Sequence, residues 1–268
     1  MKESINKKPN AFVKFFDKYQ TVISILLFFL VWELAVRIFH VSEAFLCTPS
    51  SALKHLLFKQ PDADYHWKIN ITCTLYEFLL GFLATAAGGI LLSVILVWSK
   101  TVQKIVMPLF VFLNSMPIVA ITPLLIIWLG YGLHTNIFVA FLASFFPMVI
   151  NTMAGLNSID HDLLDLVDYL NASKFQVFWK IRLPNALPYI FSGLKICSTL
   201  SVMGVIVGEL IASDKGLGYV IANSQKTMDT PPMFASLIMM SLLGWAMYFV
   251  VCVLERVCMP WKFVRQKK

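Results

Sequence analysis

Six apolar stretches constrain this chain more than any other feature, because each is about long enough to cross the hydrocarbon core of a bilayer. A spanning helix needs roughly 20 mostly apolar residues. The stretches run Thr21–Phe39, Ile71–Trp98, Ile105–Leu129, Thr135–Leu156, Leu187–Ala212 and Met233–Cys258. Composition agrees: of 268 residues, 58% are hydrophobic and 14% charged, where a soluble domain carries about 25% charged residues. So few charges do not cover a water-facing surface. The expected fold class is an all-α membrane protein with six transmembrane helices. The first stretch follows a lysine-rich head, as in a signal peptide, but it is too long for a signal segment and no small-x-small cleavage site follows it, so it reads as an uncleaved span.

The net charge of +7 suits a membrane protein whose basic residues set its orientation. Nucleic acid is rejected as a partner, because the basic residues sit at the ends of apolar segments and not in one patch. Fifteen fall on one side: Lys2, Lys7, Lys8, Lys14, Lys18, Lys100, Lys104, Lys174, Lys180, Arg182, Arg256, Lys262, Arg265, Lys267 and Lys268. Five fall on the other, Lys54, Lys59, Lys68, Lys215 and Lys226. The richer side is expected to be cytoplasmic. The chain then divides into a cytoplasmic head (1–20), a six-span domain (21–258) and a cytoplasmic basic tail (259–268).

The third stretch holds Pro108, Pro117 and Pro123. Each removes a backbone donor, and in lipid the freed groups need partners. A helix packed inside a bundle, beside a pathway, is the expected setting. Gly81, Gly88 and Gly89 in the second stretch allow close helix approach. Among the charges inside the spans, Glu33 and Arg37 are spaced to pair on one helical face. Lys195 is expected to snorkel to the cytoplasmic boundary. Glu209 either pairs with Lys215 or faces a cavity. Glu77 and Glu255 are expected near water at span ends. Cys47, Cys73, Cys197, Cys252 and Cys258 lack metal spacing and read as small hydrophobes, with a Cys47–Cys73 disulfide as the alternative. The histidines, His40, His55, His66, His134 and His161, lie outside the span cores without metal spacing. No metal site and no catalytic residue is expected.

The loop at 157–186 is the most informative segment. Leu163, Leu166, Val167 and Leu170 make one apolar helical stripe, and Ser158 and Asp160 suit its N-terminal end. Asn171 fits the left-handed residue that ends a helix. Ser173 and Gln176 have capping-box spacing for a second short helix. That helix carries Phe175, Phe178 and Trp179 on one side and is expected to end before Leu183-Pro184. Two short helices joined by a sharp turn, bearing exposed aromatic side chains, have the makings of a protein-docking surface.

At this loop the sequence resembles the permease subunits of binding-protein-dependent ABC importers, whose hallmark reads E-A-A-x-x-x-G-x9-I-x-L-P. Ile181-Arg182-Leu183-Pro184 matches its end, Asn171 falls at the glycine, and Asp165-Leu166-Val167 falls at the E-A-A. Other stretches are similar to the nitrate/sulfonate/taurine branch. They include Pro117-Ile118-Val119-Ala120 through Pro123 to Trp128-Leu129-Gly130-Tyr131-Gly132, then Phe146-Pro147, Asn151-Thr152, Leu187-Pro188-Tyr189-Ile190, and Gly208-Glu209 leading to Gly216-Leu217-Gly218. Glu77 departs from the branch, where an Arg is expected.

The resemblance implies a dimer of permeases, most simply a homodimer, with two ATPase subunits that bind the ATP and an extracytoplasmic solute-binding protein. It implies that Asp165, Leu166, Leu170, Asn171, Ala172, Ser173, Phe175, Arg182 and Pro184 couple the chain to the ATPase. It puts Asn114, Ser115, Pro117, Pro123, Asn151 and Glu209 forward for the pathway. The chain needs no cofactor of its own and contains no G-x-x-x-x-G-K-[ST] phosphate loop. The solute implied is a sulfonate-, nitrate- or taurine-like anion, or a thiamine precursor. Two other classes stay open. A secondary transporter should show half-to-half repeats and ionisable groups at the membrane midplane. A membrane-embedded enzyme needs convergent catalytic groups.

Overall fold

The computed structural model describes residues 11–57 and 65–261. The lysines at 2, 7 and 8 of the head, Lys59, and the basic tail from Lys262 lie outside the described residues. Every described element is helical. In chain order they are α1 (Ala11–Ile38), α2 (Pro49–Leu57), α3 (Trp67–Trp98), α4 (Lys100–Asn114), α5 (Ile118–Leu129), α6 (Leu133–Asn157), α7 (His161–Tyr169), α8 (Lys174–Val177), α9 (Leu183–Ala212), α10 (Leu217–Thr227) and α11 (Thr230–Cys258). A π-helical turn, Phe178–Arg182, joins α8 to α9.

Four helices are long and apolar enough to cross a membrane: α3, α6, the continuous run Lys174–Ala212, and α11. The expected single span at Ile105–Leu129 is instead two helices, α4 and α5, bent by 99°. Proline chemistry explains the break. A residue before proline is disfavoured in the α region, and α4 ends at Asn114, short of Met116-Pro117. Pro117 is itself extended (φ −60°, ψ 121°) and serves as the N-cap of α5. Pro108 and Pro123 stay inside their helices. Within one copy, α4 has no buried residue, while α5 buries Thr122 and Leu125. All three prolines are exposed within one copy, so the single chain does not give them the packed setting expected.

The core lies where α6 and α9 pack along each other and α3 crosses against both. Large apolar side chains such as Phe78, Phe82, Met148 and Phe191 fill it, and small and polar ones line the closest helix contacts. The inner stripe of α3 reads Asn70, Thr74, Glu77, Gly81, Thr85, Gly89 and Ser93, all buried, while Leu83, Leu91 and Ile95 face out. Lipid tails are as apolar as leucine, so helices associate through close packing and hydrogen bonds. The Ser144 hydroxyl meets those of Thr85 at 2.8 Å and Ser201 at 2.9 Å, linking three helices. A Cβ on Gly204 would lie 2.6 Å from the Ala140 Cα, so α6 and α9 touch backbone to backbone there.

Several charged side chains sit deeper than their positions in the sequence imply. Lys195 is half-buried and pairs with Glu255 of α11. Glu77 and Glu255 are buried, not at a wet span end. A charge at membrane depth is tolerated when it faces the bundle and finds a partner. Glu33 and Arg37 do pair, at 2.6 Å. Glu33 also receives the Ser50 amide at 3.1 Å and the Ser50 hydroxyl at 2.8 Å, which ties α1 to α2. All five cysteines are free, Cys47 and Cys73 included.

Candidate functional site

Two features stand at opposite ends of the bundle. At the first, Asp160 caps α7 by accepting the Asp162 amide at 3.3 Å. The helix closes at Leu170, and Asn171 adopts φ +52°. The Asn171 amide reaches the Asp168 carbonyl at 3.0 Å and the Ala172 amide reaches the Val167 carbonyl at 3.2 Å, the paired bonds of a Schellman motif. Ser173 then starts α8 with a full capping box: its hydroxyl accepts the Gln176 amide at 3.3 Å, and the Gln176 side chain accepts the Ser173 amide at 3.0 Å. Both ends of the turn are thus tied off locally, and the loop is an ordered frame.

That frame divides its apolar residues. Val167 turns inward at 6% exposure, while Leu166, Leu170 and Phe175 stand out at 54%, 69% and 62%. Asp165 and Ser173 are also exposed, and Ala172 is half-buried. Phe175 and Trp179 lie side by side at a tilt of 58°, with ring centroids 6.0 Å apart. Phe178, expected on their side, is instead buried against Trp98 at the end of α3, 5.6 Å between rings.

The second helix does not stop before Pro184. It continues into α9, because the π turn gives the Leu183 amide a carbonyl one residue further back, that of Phe178. Such a bulge relieves the clash that a helical proline makes with the carbonyl four residues earlier. Arg182 closes the π turn half-buried, and Pro184 lies exposed in the first turn of α9. Asn185 donates to the Ser158 hydroxyl at 3.0 Å, linking the end of α6 to the start of α9. The exposed ledge is therefore fastened to α3, α6 and α9.

At the other end, a buried polar network binds the α9–α10 connection. Glu209 accepts the Thr74 hydroxyl at 2.6 Å and the Gly218 amide at 2.6 Å. Thr74 receives the Leu217 amide at 2.8 Å, and Asn70 receives the Gly216 amide at 2.8 Å. Gly216 has φ +107°, and a Cβ there would lie 2.2 Å from the Glu209 carboxyl carbon. Glu209 therefore neither pairs with Lys215 nor borders open space. Outside the spans, Tyr65 donates to Asp229 at 2.6 Å. Burial and that acceptor push the Tyr65 hydroxyl up to about 12.

Asn114, Ser115 and Pro117 form the exposed elbow between α4 and α5, and Pro123 is exposed in α5. Asn151 donates to the Pro147 carbonyl on its own helix at 2.8 Å and faces Gly193 of α9. The structure thus groups three of these six at one elbow and engages Asn151 and Glu209 elsewhere. Asn70, Thr74, Asn136 and the glycines at 216 and 218 complete the network. Asn70 and Thr74 were signalled in the sequence by a polar stripe at helical spacing on an otherwise apolar α3.

Residues 79–257 match the family described as binding-protein-dependent transport system inner membrane component. The chain belongs to this family. It is accordingly a multi-pass inner-membrane transport permease of a system fed by a solute-binding protein. The permease is 29% identical over 237 residues to the formylaminopyrimidine transport permease protein ThiX of Halalkalibacterium halodurans, covering 88% of this chain and 93% of that one. It is 28% identical over 263 residues to the putative aliphatic sulfonates transport permease protein SsuC of Bacillus subtilis, covering 97% and 93%. The taurine transport system permease protein TauC of Escherichia coli is 28% identical over 234 residues, covering 86% and 85%. A solved chain of the MetNI methionine ABC transporter, in an inward facing conformation, covers 71% of the permease and 98% of itself. Its TM-score is 0.57 at 16% identity, a likeness of fold.

Proposed function

We propose that this permease, paired with a second copy of itself, forms the pathway of an ATP-driven importer and docks a separate ATPase subunit through the α7–α8 ledge. The observation that carries the reading is the ledge itself: Leu166, Leu170 and Phe175 are exposed on a frame held by a Schellman turn and a capping box. A partner groove covers such anchors, and a few large side chains supply most of the affinity. Asp165 is placed to meet a basic group on the partner. Asn171, Ala172 and Ser173 keep the turn in shape, and Arg182 and Pro184 carry its movement into α9. Nucleotide-driven closure of the ATPase pair then biases the permease dimer between outward- and inward-open states.

In this reading α1 and the α4–α5 pair complete six crossings, and both termini and the 157–186 loop lie in the cytoplasm. The elbow residues Asn114, Ser115 and Pro117, with Pro123, Asn151 and Glu209, belong to the pathway or its support. The solute is small and arrives on a binding protein. The relatives named above carry either sulfonate-type anions or a thiamine-precursor pyrimidine.

Proteoliposomes holding the permease, its ATPase and the binding protein test this directly. Uptake should require ATP hydrolysis and persist when an ionophore collapses the proton gradient. Uptake driven by a gradient without ATP would put the chain among secondary transporters.

A further inference from the structure

Hydrogen-bond accounting in the buried network at the α10 end leaves two atoms over. Asn136 donates through Nδ2 to Glu77 Oε1 at 2.9 Å, and Cys73 Sγ approaches the same oxygen at 3.6 Å. Asn136 Oδ1 has no donor and lies against Gly208. Glu77 Oε2 is buried and has no donor either. Glu77 stands one helical turn from Thr74, which donates to Glu209, and its own partner Asn136 packs on Gly208, so the Glu77 and Glu209 carboxyl groups share one buried pocket. Two carboxyl groups can bond to one another only through a proton. A buried acceptor without a donor is unfavourable, and two bare carboxylates side by side away from water are more so.

The two acids are not equivalent. Both oxygens of Glu209 already receive donors, from Thr74 and from the Gly218 amide, so Glu209 is the partner built to hold the charge. Glu77 has one oxygen served and one bare, so its bare oxygen is the place for the hydrogen. We propose that Glu77 and Glu209 bind one proton between them, carried on Glu77 Oε2 and donated to the Glu209 carboxylate, and that this proton fastens the α9–α10 connection onto α3 and α6. Among the described residues, Cys73 on α3 is the titratable side chain against Glu77, and Lys215 lies exposed in the connection beyond it. The neighbours contributed by α6 and α10 are the uncharged Asn136 side chain and the Gly218 amide. The stabilisation is present while the proton is bound and is lost as rising pH removes it, because two negative charges then face each other in the bundle.

The test is thermal unfolding of the assembled permease complex in lipid nanodiscs across pH, with infrared spectra of the same samples. Glu77→Gln keeps a hydrogen donor beside Glu209. It should melt with the parental complex at neutral pH and lose the parental decline at alkaline pH. Glu209→Gln should melt several degrees lower, since an amide offers one acceptor oxygen to both the Thr74 hydroxyl and the Gly218 amide. The parental spectrum should contain the carbonyl stretch of a protonated, exchange-resistant carboxyl, and Glu77→Gln should lack it. That band decides the matter even if Glu209→Gln does not assemble. A parental complex without the band, or Glu77→Gln melting as low as Glu209→Gln, overturns the proposal. So does melting that rises with sodium in the parent and not in Glu77→Gln, which would put a metal cation between the acids.

Discussion

Lys195 of α9 and Glu255 of α11, 60 residues apart in sequence, form an ion pair between two helices, the carboxylate buried and the ammonium half-buried. Removing one member of a fully buried pair costs about 3–5 kcal/mol, and less where one partner is half-exposed, whereas replacing both by apolar residues is often neutral. Lys195→Met alone should therefore lower the melting temperature of the complex clearly. The double replacement with Glu255→Leu should recover most of the loss. Equal melting of the single and double variants would remove the pair from the account of stability.

Gly216 is the tightest point of the buried network. Its φ of +107° and ψ of 167° fall in a region essentially reserved for glycine, where other residues pay about 1–3 kcal/mol. Its missing side chain also makes room for Glu209, and overpacking adds about 1–3 kcal/mol. Gly216→Ala should reduce the yield of folded complex. Gly88→Ala, whose Cβ would meet the Phe145 ring at an ordinary 3.4 Å, should not. Matching yields of the two variants would contradict this reading of the connection.

Asn171 holds the turn of the ledge at φ +52°. Glycine adopts that conformation freely, and a β-branched residue resists it by about 1–2 kcal/mol. Asn171→Gly should support parental uptake, and Asn171→Val should reduce both uptake and ATPase retention. The check is uptake by the two variants at matched expression.

Orientation is read with a membrane-impermeant thiol reagent on intact cells. Met228 is exposed at the α10 end and Gln176 is exposed on the ledge. In a variant lacking the native cysteines, Met228→Cys should be labelled and Gln176→Cys should not. In the parental permease the native Cys47 thiol is buried and pushed up to about 11, so it should stay unlabelled at neutral pH. Labelling of Gln176→Cys without Met228→Cys would invert the topology.

Much of this structure was legible where the physics is local. The apolar stretches mark the helices, since a bilayer demands that length. The turn at Asn171 and the cap at Ser173 follow from backbone preferences acting over a few residues. Glu33 and Arg37, four apart on one helix, pair as their spacing implies. What the sequence hides is tertiary. Pro117 breaks a helix and Pro184 does not, and the difference lies in the π turn before Pro184 and the extended backbone at Pro117. Glu209 finds Thr74 across 135 positions. Phe178 turns toward Trp98 because that ring is there to receive it. Helical spacing alone placed it with Phe175 and Trp179.

The central claim is that the α7–α8 ledge is where ATP hydrolysis is transmitted to the permease. Its most direct test is retention of the ATPase subunit on the tagged permease, measured beside uptake in the same preparation, for Leu166→Asp and Phe175→Asp. Truncating one buried anchor of an interface costs about 2–4 kcal/mol, and a buried charge should cost no less. Both side chains point away from the bundle, so the membrane helices should assemble as before. The account predicts that the ATPase washes off, and that uptake and substrate-stimulated hydrolysis fall together. Parental retention and parental uptake in both variants would contradict it.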